Sequence, residues 1–508
     1  MIEEPVDYTV MDQKLEPVMK LLHAHQPQLA LDRLRFLQQQ GTFLKGEMWR
    51  VYQRMAECYF ELLDMDKAQQ AYWEALNHTA GLPYRKQCEL YSNYLFILHY
   101  VPHLTDTVMI DQHKGYGQLA EAVTPFVHQP RDPARRHQKI RVGYIAPVFI
   151  KNVVSFFSIQ LMMRYDRSRY EVYLYSLWPH EDIVTEDLKK QVTGWASFTP
   201  ATPFEEIAQR IYDDEIDILF DLTVHAEGGR TLQVMSRRPA PVQVAGIGYM
   251  STSGTAAIDY FLTDIHLDPP GQHDDQFAEK LLRLPYSHFC YTPPERFLQC
   301  KKTYHLHQPV VFGSFNNFAK ITDDMLLLWK EILRRVPDAR MLLKHSNVRT
   351  WVIRRVTDRA RRLGLPMDRI TVEGSSADYL DRYMDIDILL DTYPYVGGGT
   401  TCDALLRGTP VITRYGERHG TRFGYSLLAN LGLTELAADS DEAYVEKAVQ
   451  LARSPERLAA LHETIAQRMM ASPIMDAVGY VHDVEDAYAS IWRTWQLTPL
   501  RNEQENTK

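Results

Sequence analysis

The sequence predicts a helical region followed by two consecutive α/β domains. Residues 11–125 repeat apolar side chains every three or four positions, which is typical of amphipathic helices. From about residue 139 onward, strand-like and helical segments alternate, and this alternation favours parallel sheets covered by helices. Polar, proline-containing stretches at 128–138 and 291–309 interrupt the pattern, so we place boundaries there. The predicted units are residues 1–130, 139–300 and 308–495.

Length and composition agree with about three domains. The chain has 508 residues, of which 45% are hydrophobic, enough for more than one core. Its formal charge is −9, and a net negative charge does not indicate a nucleic-acid partner. The N-terminus lacks a signal pattern and no apolar run approaches the roughly 18 residues of a membrane span, which predicts a cytoplasmic protein. Five cysteines without CxxC spacing indicate reduced thiols: Cys58, Cys88, Cys290, Cys300 and Cys402.

The helical region contains one recognisable repeat. Small and aromatic residues recur at tetratricopeptide spacing at Ala56, Tyr59, Ala68, Tyr72 and Ala75. Small residues let two antiparallel helices approach closely, and the aromatic rings fill the remaining space. Because one such unit cannot bury its apolar face alone, we expect degenerate neighbours on both sides. An ordinary helical bundle is the alternative, and either would offer a surface for homo- or hetero-oligomers.

Both α/β domains are built from short apolar strands separated by helices. In the first, we predict a helix over 204–215 and strands over 140–146, 170–178, 216–223, 241–248, 258–264 and 279–285. In the second, we predict strands over 310–316, 339–345, 368–374, 386–392 and 409–414, helices over 323–338, 376–385 and 400–408, and a helical tail over 439–495. Ligands of open α/β sheets bind at the carboxyl ends of strands, so two such domains face to face predict a cleft between them.

The strongest local motif is the glycine loop of the second α/β domain. A buried strand ends at Asp391, and Gly397, Gly398 and Gly399 allow the backbone to approach a ligand closely. Thr400 and Thr401 could cap the following helix, and its N-terminus suits a phosphate. Asp403 could accept from ribose hydroxyls or act as a cap. The alternative is a glycine-rich turn without a ligand.

Four further segments carry candidate groups. Asn316, Asn317 and Lys320 follow the first strand of the second domain, and Lys320 could neutralise a diphosphate leaving group. His225 follows a buried strand of the first domain and has the pKa range for proton transfer, although a lone histidine is more often structural. A second glycine loop at 246–248 and a segment at 147–152, which includes Lys151, point at the same cleft.

Together these segments resemble the family 41 glycosyltransferases, the group similar to O-GlcNAc transferase. The resemblance covers about residues 90–490 and rests on stretches such as IDILFDLTVHAEGGR, RRPAPVQVAGIGYMSTSG, FGSFNNFAKITDD and IDILLDTYPYVGGGTTCDALLRGTPVIT. It implies a GT-B fold, two Rossmann-like domains facing a cleft, preceded by an all-α tetratricopeptide-like region. It also implies an inverting transfer of a sugar from a nucleotide diphosphate to a polypeptide side chain, without metal or other cofactor, with the repeats gathering the acceptor protein.

The resemblance assigns roles to individual residues. Lys320 matches the family's diphosphate-contacting lysine, and Asn317 matches a nucleotide contact. Thr400 matches a phosphate-binding threonine beside Gly398, Gly399 and Thr401, and Asp403 matches the acidic residue that holds the ribose. His225 matches a histidine of bacterial members, and the sugar would lie near it and near Gly248.

Two positions depart from the family pattern. An early family histidine aligns with Asn152 or Lys151, and a later one aligns with Tyr379, which could stack on a nucleobase. Since asparagine is no general base, the acceptor's proton could leave through His225, a water or a donor phosphate oxygen.

The resemblance leaves several functions open. The leading hypothesis is a transferase that uses UDP-GlcNAc or UDP-glucose as donor and Ser or Thr side chains as acceptors. GDP-fucose as donor and glucosylation of Asn are close variants. A non-catalytic repeat scaffold and a nucleotide-sugar epimerase are alternatives of other classes.

Overall fold

The computed structural model of the protein describes residues 8–120, 122–130, 137–295, 297, 303–345 and 348–498. Most of the first predicted boundary and part of the second, including Cys300, lie outside the described residues. The other four cysteines are buried free thiols. No helix in the described part of the chain is long and apolar enough to cross a membrane.

The N-terminal region consists of three consecutive helix pairs. Its helices are α1 (Tyr8–His23), α2 (Pro27–Gln39), α3 (Met48–Glu61), α4 (Met65–Leu76), α5 (Tyr84–Leu98) and α6 (Asp106–Ala120). The α3/α4 pair is the predicted repeat: Ala56, Ala68 and Ala75 are fully buried, and Tyr59 and Tyr72 are nearly so. The pairs α1/α2 and α5/α6 flank it on both sides, which confirms the expected neighbours.

The first lobe is a fully parallel sheet of seven strands. In chain order these are β1 (Ile140–Ala146), β2 (Tyr170–Ser176), β3 (Gly194–Ser197), β4 (Ile218–Asp221), β5 (Val242–Ala245), β6 (Tyr260–Asp264) and β7 (Lys280–Leu284). Their spatial order is β3-β2-β1-β4-β5-β6-β7. The helices are α7 (Val153–Met163), α8 (Ile183–Gln191), α9 (Phe204–Asp213) and α10 (Arg230–Met235). The strand order reverses between β1 and β4, so a crevice opens at their carboxyl ends.

The second lobe repeats this plan with six strands. They are β8 (Val311–Ser314), β9 (Arg340–Lys344), β10 (Ile370–Glu373), β11 (Ile388–Leu390), β12 (Val411–Arg414) and β13 (Ala437–Ala438), in the order β10-β9-β8-β11-β12-β13. The helices are α11 (Asp323–Arg335), α12 (Thr350–Arg362), α13 (Gly399–Leu406), α14 (Phe423–Asn430), α15 (Asp441–Ala452), α16 (Pro455–Met470) and α17 (Ala477–Gln496). The reversal lies between β8 and β11, directly before the predicted lysine and glycine segments.

The structure corrects two features of the predicted pattern. The helix expected over 376–385 is a turn followed by a short 3-10 helix at Asp381–Asp385, although Tyr379 and Tyr383 are both buried, as the helical spacing of these two residues predicts. Strands β3 and β13 were not predicted, since each has four residues or fewer and little apolar sequence to mark it.

The last helix packs on the first lobe, although the sequence grouped it with the second. The Tyr170 hydroxyl donates to the Glu485 carbonyl at 2.7 Å, and the Tyr480 hydroxyl donates to the His288 carbonyl at 3.0 Å. The hydroxyls of Tyr144 and Tyr488 lie 3.2 Å apart. The chain therefore passes between the lobes a second time before it reaches α17.

Candidate functional site

The glycine loop of the second lobe is organised by the buried carboxylate of Asp391. This carboxylate accepts hydrogen bonds from the backbone of Thr392 and Gly397, from the Thr413 hydroxyl and from the Asn316 amide, all at 2.8–2.9 Å. Burial raises the pKa of Asp391, while these donors favour its charged form. From the sequence, Asp391 is predicted only to end a strand; its place before a glycine run was the available signal for its role in holding the loop.

Helix α13 begins at this loop with an uncapped N-terminus. Gly398 precedes the helix and offers no side chain to its first N–H groups. Thr400 and Thr401 lie inside the helix and do not cap it, contrary to expectation. The Thr400 hydroxyl donates to the Asn316 side-chain oxygen at 2.6 Å, and the buried Thr401 hydroxyl has no partner among the described residues. The free N–H groups and the positive helix end suit an anion.

The α13 N-terminus faces helix α7 of the first lobe. A Cβ added to Gly399 would lie 3.2 Å from the Val153 side chain, and one added to Gly398 would lie 3.8 Å from the Phe157 ring. Val153 is the first residue of α7, whose N-cap is Asn152; the Asn152 side chain accepts from Ser155 N at 2.9 Å. The positive ends of two helices therefore converge on the cleft, one from each lobe.

Lys320 reaches the glycine loop from the neighbouring strand. It ends a 3-10 helix at Phe318–Lys320, shortly after β8. Its ammonium donates to the Val396 carbonyl at 3.0 Å and lies 3.7 Å from the centre of the Tyr395 ring. Burial lowers the pKa of Lys320 to about 8. The structure thus brings the predicted lysine and the predicted glycine loop together. Tyr395 was missed because an aromatic residue in a loop carries no signal of its partner.

The helical region contributes to the same place through Tyr100, which follows α5. The Tyr100 and Tyr395 rings meet edge to face with centroids 4.8 Å apart, and His99 approaches Tyr395 at 6.4 Å. Lys320, Tyr395 and Tyr100 therefore form a continuous row of contacts from the second lobe to the helical region.

The remaining nucleotide-contact candidates are Asp403 inside α13, Asn317 at the start of the 3-10 helix that carries Lys320, and Tyr379. Asp403 is nearly buried and accepts from the Tyr291 hydroxyl at 2.5 Å. Asn317 is half-buried and accepts from Ala319 N at 3.0 Å, which orients the 3-10 helix that carries Lys320. Tyr379 is only 6% exposed and packs against Phe315 and Tyr383, so this conformation does not support the expected stacking on a nucleobase.

The structure does not support a catalytic role for His225. The residue is fully buried, its Nδ1 lies 3.0 Å from the Ser92 hydroxyl, and its Nε2 lies 2.9 Å from the Ser253 carbonyl. Burial holds the pKa of His225 well below its usual range. With both ring nitrogens engaged between α5 and the first lobe, His225 joins the two regions and has no free nitrogen for a substrate proton.

The other first-lobe candidates, Gly248 and Lys151, are held in place through hydrogen bonds of their backbone N–H groups. Gly248 N donates to the Leu222 carbonyl at 3.0 Å, and a Cβ added to Gly248 would lie 2.2 Å from that oxygen. Only glycine fits there. Lys151 is exposed, and its backbone N–H donates to Asp182. Among the described residues, no group of three or more His, Cys, Asp and Glu side chains is arranged to hold a metal ion.

Known proteins are similar to this chain over most of its length. The model of glycosyl transferase family 41 matches residues 119–293 and 291–484. Proteins described as probable UDP-N-acetylglucosamine–peptide N-acetylglucosaminyltransferase SPINDLY are 33% identical in Solanum lycopersicum and 34% in Arabidopsis thaliana. Each match covers 79% of this chain, but only 44% and 45% of those proteins. The chain thus spans less than half the length of these curated relatives.

A solved structure agrees over nearly the whole chain. A mutant of the O-GlcNAc transferase of Thermobaculum terrenum superposes with a TM-score of 0.79 and 26% identity, covering 97% of this chain and 99% of that one. The fold is accordingly GT-B with an N-terminal helical region, as the motifs predicted. On the family match and these relatives, the chain belongs to glycosyltransferase family 41.

Proposed function

We propose that the protein is an inverting protein glycosyltransferase that moves a sugar from a nucleotide diphosphate to a hydroxyl side chain of a polypeptide. The observation that carries the proposal is the convergence of Lys320 with the glycine loop and the uncapped α13 N-terminus. A lysine and free N–H groups at one point are suited to a diphosphate. The names of the relatives favour UDP-GlcNAc as donor and a peptide as acceptor.

In the proposed reaction, the diphosphate lies between Lys320 and the start of α13. The acceptor oxygen forms a bond to the anomeric carbon while the bond from that carbon to the phosphate oxygen breaks, which inverts the configuration. Lys320 and the helix N–H groups stabilise the negative charge that develops on the departing nucleotide. The acceptor proton passes to water or to a phosphate oxygen of the donor, since the buried His225 is engaged on both nitrogens.

The proposal is tested with a panel of donors. The protein is incubated with UDP-GlcNAc, UDP-glucose or GDP-fucose and a cell lysate, and modified peptides are identified by mass spectrometry. We expect UDP-GlcNAc to give the most modified Ser and Thr sites, and UDP to raise the melting temperature more than GDP. Transfer from GDP-fucose or UDP-glucose, or onto Asn, would reassign the donor or acceptor. Transfer from none of the three would favour a non-catalytic scaffold.

A further inference from the structure

A groove of about 470 Å³ separates the helical region from the first lobe, outside the proposed donor site. One wall comes from α3 and α5, and the other comes from Trp178, Gly228 and Arg230 of the first lobe. Trp178 follows β2 and Arg230 follows β4, and the backbone N–H of Trp178 donates to the Pro147 carbonyl just after β1. The groove therefore borders the carboxyl edge of the sheet, beside the cleft.

The charges in this groove pair with one another, with two exceptions. Asp12 pairs with Arg50, Glu57 with Arg54 at 2.6 Å, and Glu89 with Lys86 at 2.8 Å. Glu227 and Arg230 also line the groove, and neither forms a hydrogen bond or an ion pair with a described residue. Among the charged side chains that the structure describes in this groove, these two are therefore the ones that could form an ion pair with a ligand.

Arg230 forms no direct ion pair with a described residue, although the charges of Glu89 and Glu227 lie near enough to favour its charged form. Its Nε and Nη2 are buried without a hydrogen-bond partner, whereas Nη1 is the remaining nitrogen that can meet a ligand in the groove. The guanidinium lies 5.8 Å from the Trp178 ring and 5.5 Å from the Phe204 ring. Arg85 approaches the same Phe204 ring at 4.8 Å, and its charge together with burial lowers the pKa of Arg230. An anion bound here would relieve both the desolvation and the repulsion.

The backbone that carries Arg230 is held in an unusual conformation. Val224 and Glu227 have φ of 51° and 52°, and Gly228 and Gly229 follow at 76° and 62°. A Cβ added to Gly229 would lie 2.1 Å from the Ser92 hydroxyl, so α5 presses directly on this turn. Side chains with left-handed φ cost free energy, and such strain accumulates at functional sites. The turn fixes Arg230 against the groove.

We propose that Arg230 binds a carboxylate of the acceptor polypeptide, so that the protein prefers Ser or Thr residues with Asp or Glu at a fixed distance along the chain. This inference rests on the proposed function, because it assigns a specificity to the acceptor of that reaction. A carboxylate would supply hydrogen-bond acceptors to guanidinium nitrogens that have none among the described residues, and the groove borders the carboxyl edge of the sheet from which the acceptor would approach.

The experiment compares the sites that the wild type and variants modify in one lysate. For the wild type, we expect Asp or Glu to be enriched at one offset from the modified residue. R230Q should lose this enrichment and R230K should keep part of it, with melting temperatures checked for each. E227Q is the matched control: it removes the neighbouring negative charge and should keep or strengthen the acidic preference.

A peptide pair then gives the magnitude. A strongly modified peptide and its copy with the acidic residue changed to Gln should differ about 10-fold or more in kcat/KM with the wild type, and less than about 2-fold with R230Q. Wild-type transfer without acidic enrichment, or an enrichment that R230Q preserves, overturns the inference while the proposed function stands. If R230Q does not fold, R230K decides: an acidic preference as strong as that of the wild type overturns the inference. Absence of all wild-type transfer ends both proposals.

Discussion

At the scale of single residues, the two side chains that the sequence predicts to be catalytic differ in their burial and in their hydrogen bonding. Lys320 is half-buried at the cleft with its ammonium against a loop and a ring face. His225 is fully buried and hydrogen-bonded on both sides. The residue types and spacing could predict both positions but not their accessibility, because accessibility depends on how α5 packs on the first lobe.

The charge of Lys320 makes nucleotide binding depend on pH. Since the pKa of Lys320 is lowered to about 8, its charged form dominates below that pH and is lost as pH rises through it. We expect the affinity for UDP to fall about 10-fold between pH 7 and pH 9.5, measured by calorimetry. K320R stays charged and should show a flatter profile, and K320A should lose about 10²-fold or more in turnover. An equally steep profile in K320R would remove Lys320 from phosphate binding.

His225 is expected to contribute to stability and not to proton transfer. H225A leaves the Ser92 hydroxyl and the Ser253 carbonyl without their partner in a buried place and opens a cavity. We expect a loss of about 2–4 kcal/mol in the free energy of unfolding, measured by urea denaturation. The pH dependence of kcat in the folded variant should keep its shape. If an ionisation disappears from that profile in H225A, His225 takes part in proton transfer and the prediction is wrong.

At the scale of elements, the loop between β11 and α13 is set by close backbone contacts. The run of three glycines could be predicted as a ligand loop from the sequence. The role of the buried Asp391 could not be predicted, because two of its partners, Asn316 after β8 and Thr413 of β12, are distant from it in sequence. The packing of α17 could not be predicted either, because the sequence of an amphipathic helix does not indicate which lobe its apolar face covers.

Gly397 is the position in this loop where a side chain should be least tolerated. A Cβ there would lie 2.7 Å from the hydroxyls of Thr400 and Thr401 and 3.0 Å from the Asn316 oxygen. G397A should therefore displace the α13 N-terminus and weaken UDP binding about 10-fold, without preventing folding. Gly46 is the matched control, since a Cβ there meets nothing within 4 Å. Equal UDP affinities of G397A and G46A would contradict the proposed phosphate site.

At the scale of the whole molecule, helix α5 connects the helical region to both lobes. Ser92 contacts His225 of the first lobe, and Tyr100, just beyond the helix, contacts Tyr395 of the second. The family resemblance implied a helical region that gathers the acceptor protein, but no sequence pattern indicated that this region reaches Lys320 through two rings.

This contact predicts that the helical region influences donor affinity. Y395L removes the ring face under Lys320, and Y100L removes the ring that supports Tyr395. We expect each to weaken UDP binding about 2- to 30-fold, with Y395F and Y100F close to the wild type. Phe36 is exposed on α2, and F36L serves as a control in the same region. If Y100L binds UDP as the wild type does, the helical region is independent of the donor site.

The return of α17 to the first lobe limits how the protein can be dissected. A fragment ending near residue 297 would lack α17 and leave the surfaces around Tyr144, Tyr170 and His288 without their partners. Conversely, a second-lobe fragment would carry a helix whose apolar side belongs elsewhere. The two fragments should therefore associate on mixing, because α17 of the second fragment would cover the exposed apolar surface of the first.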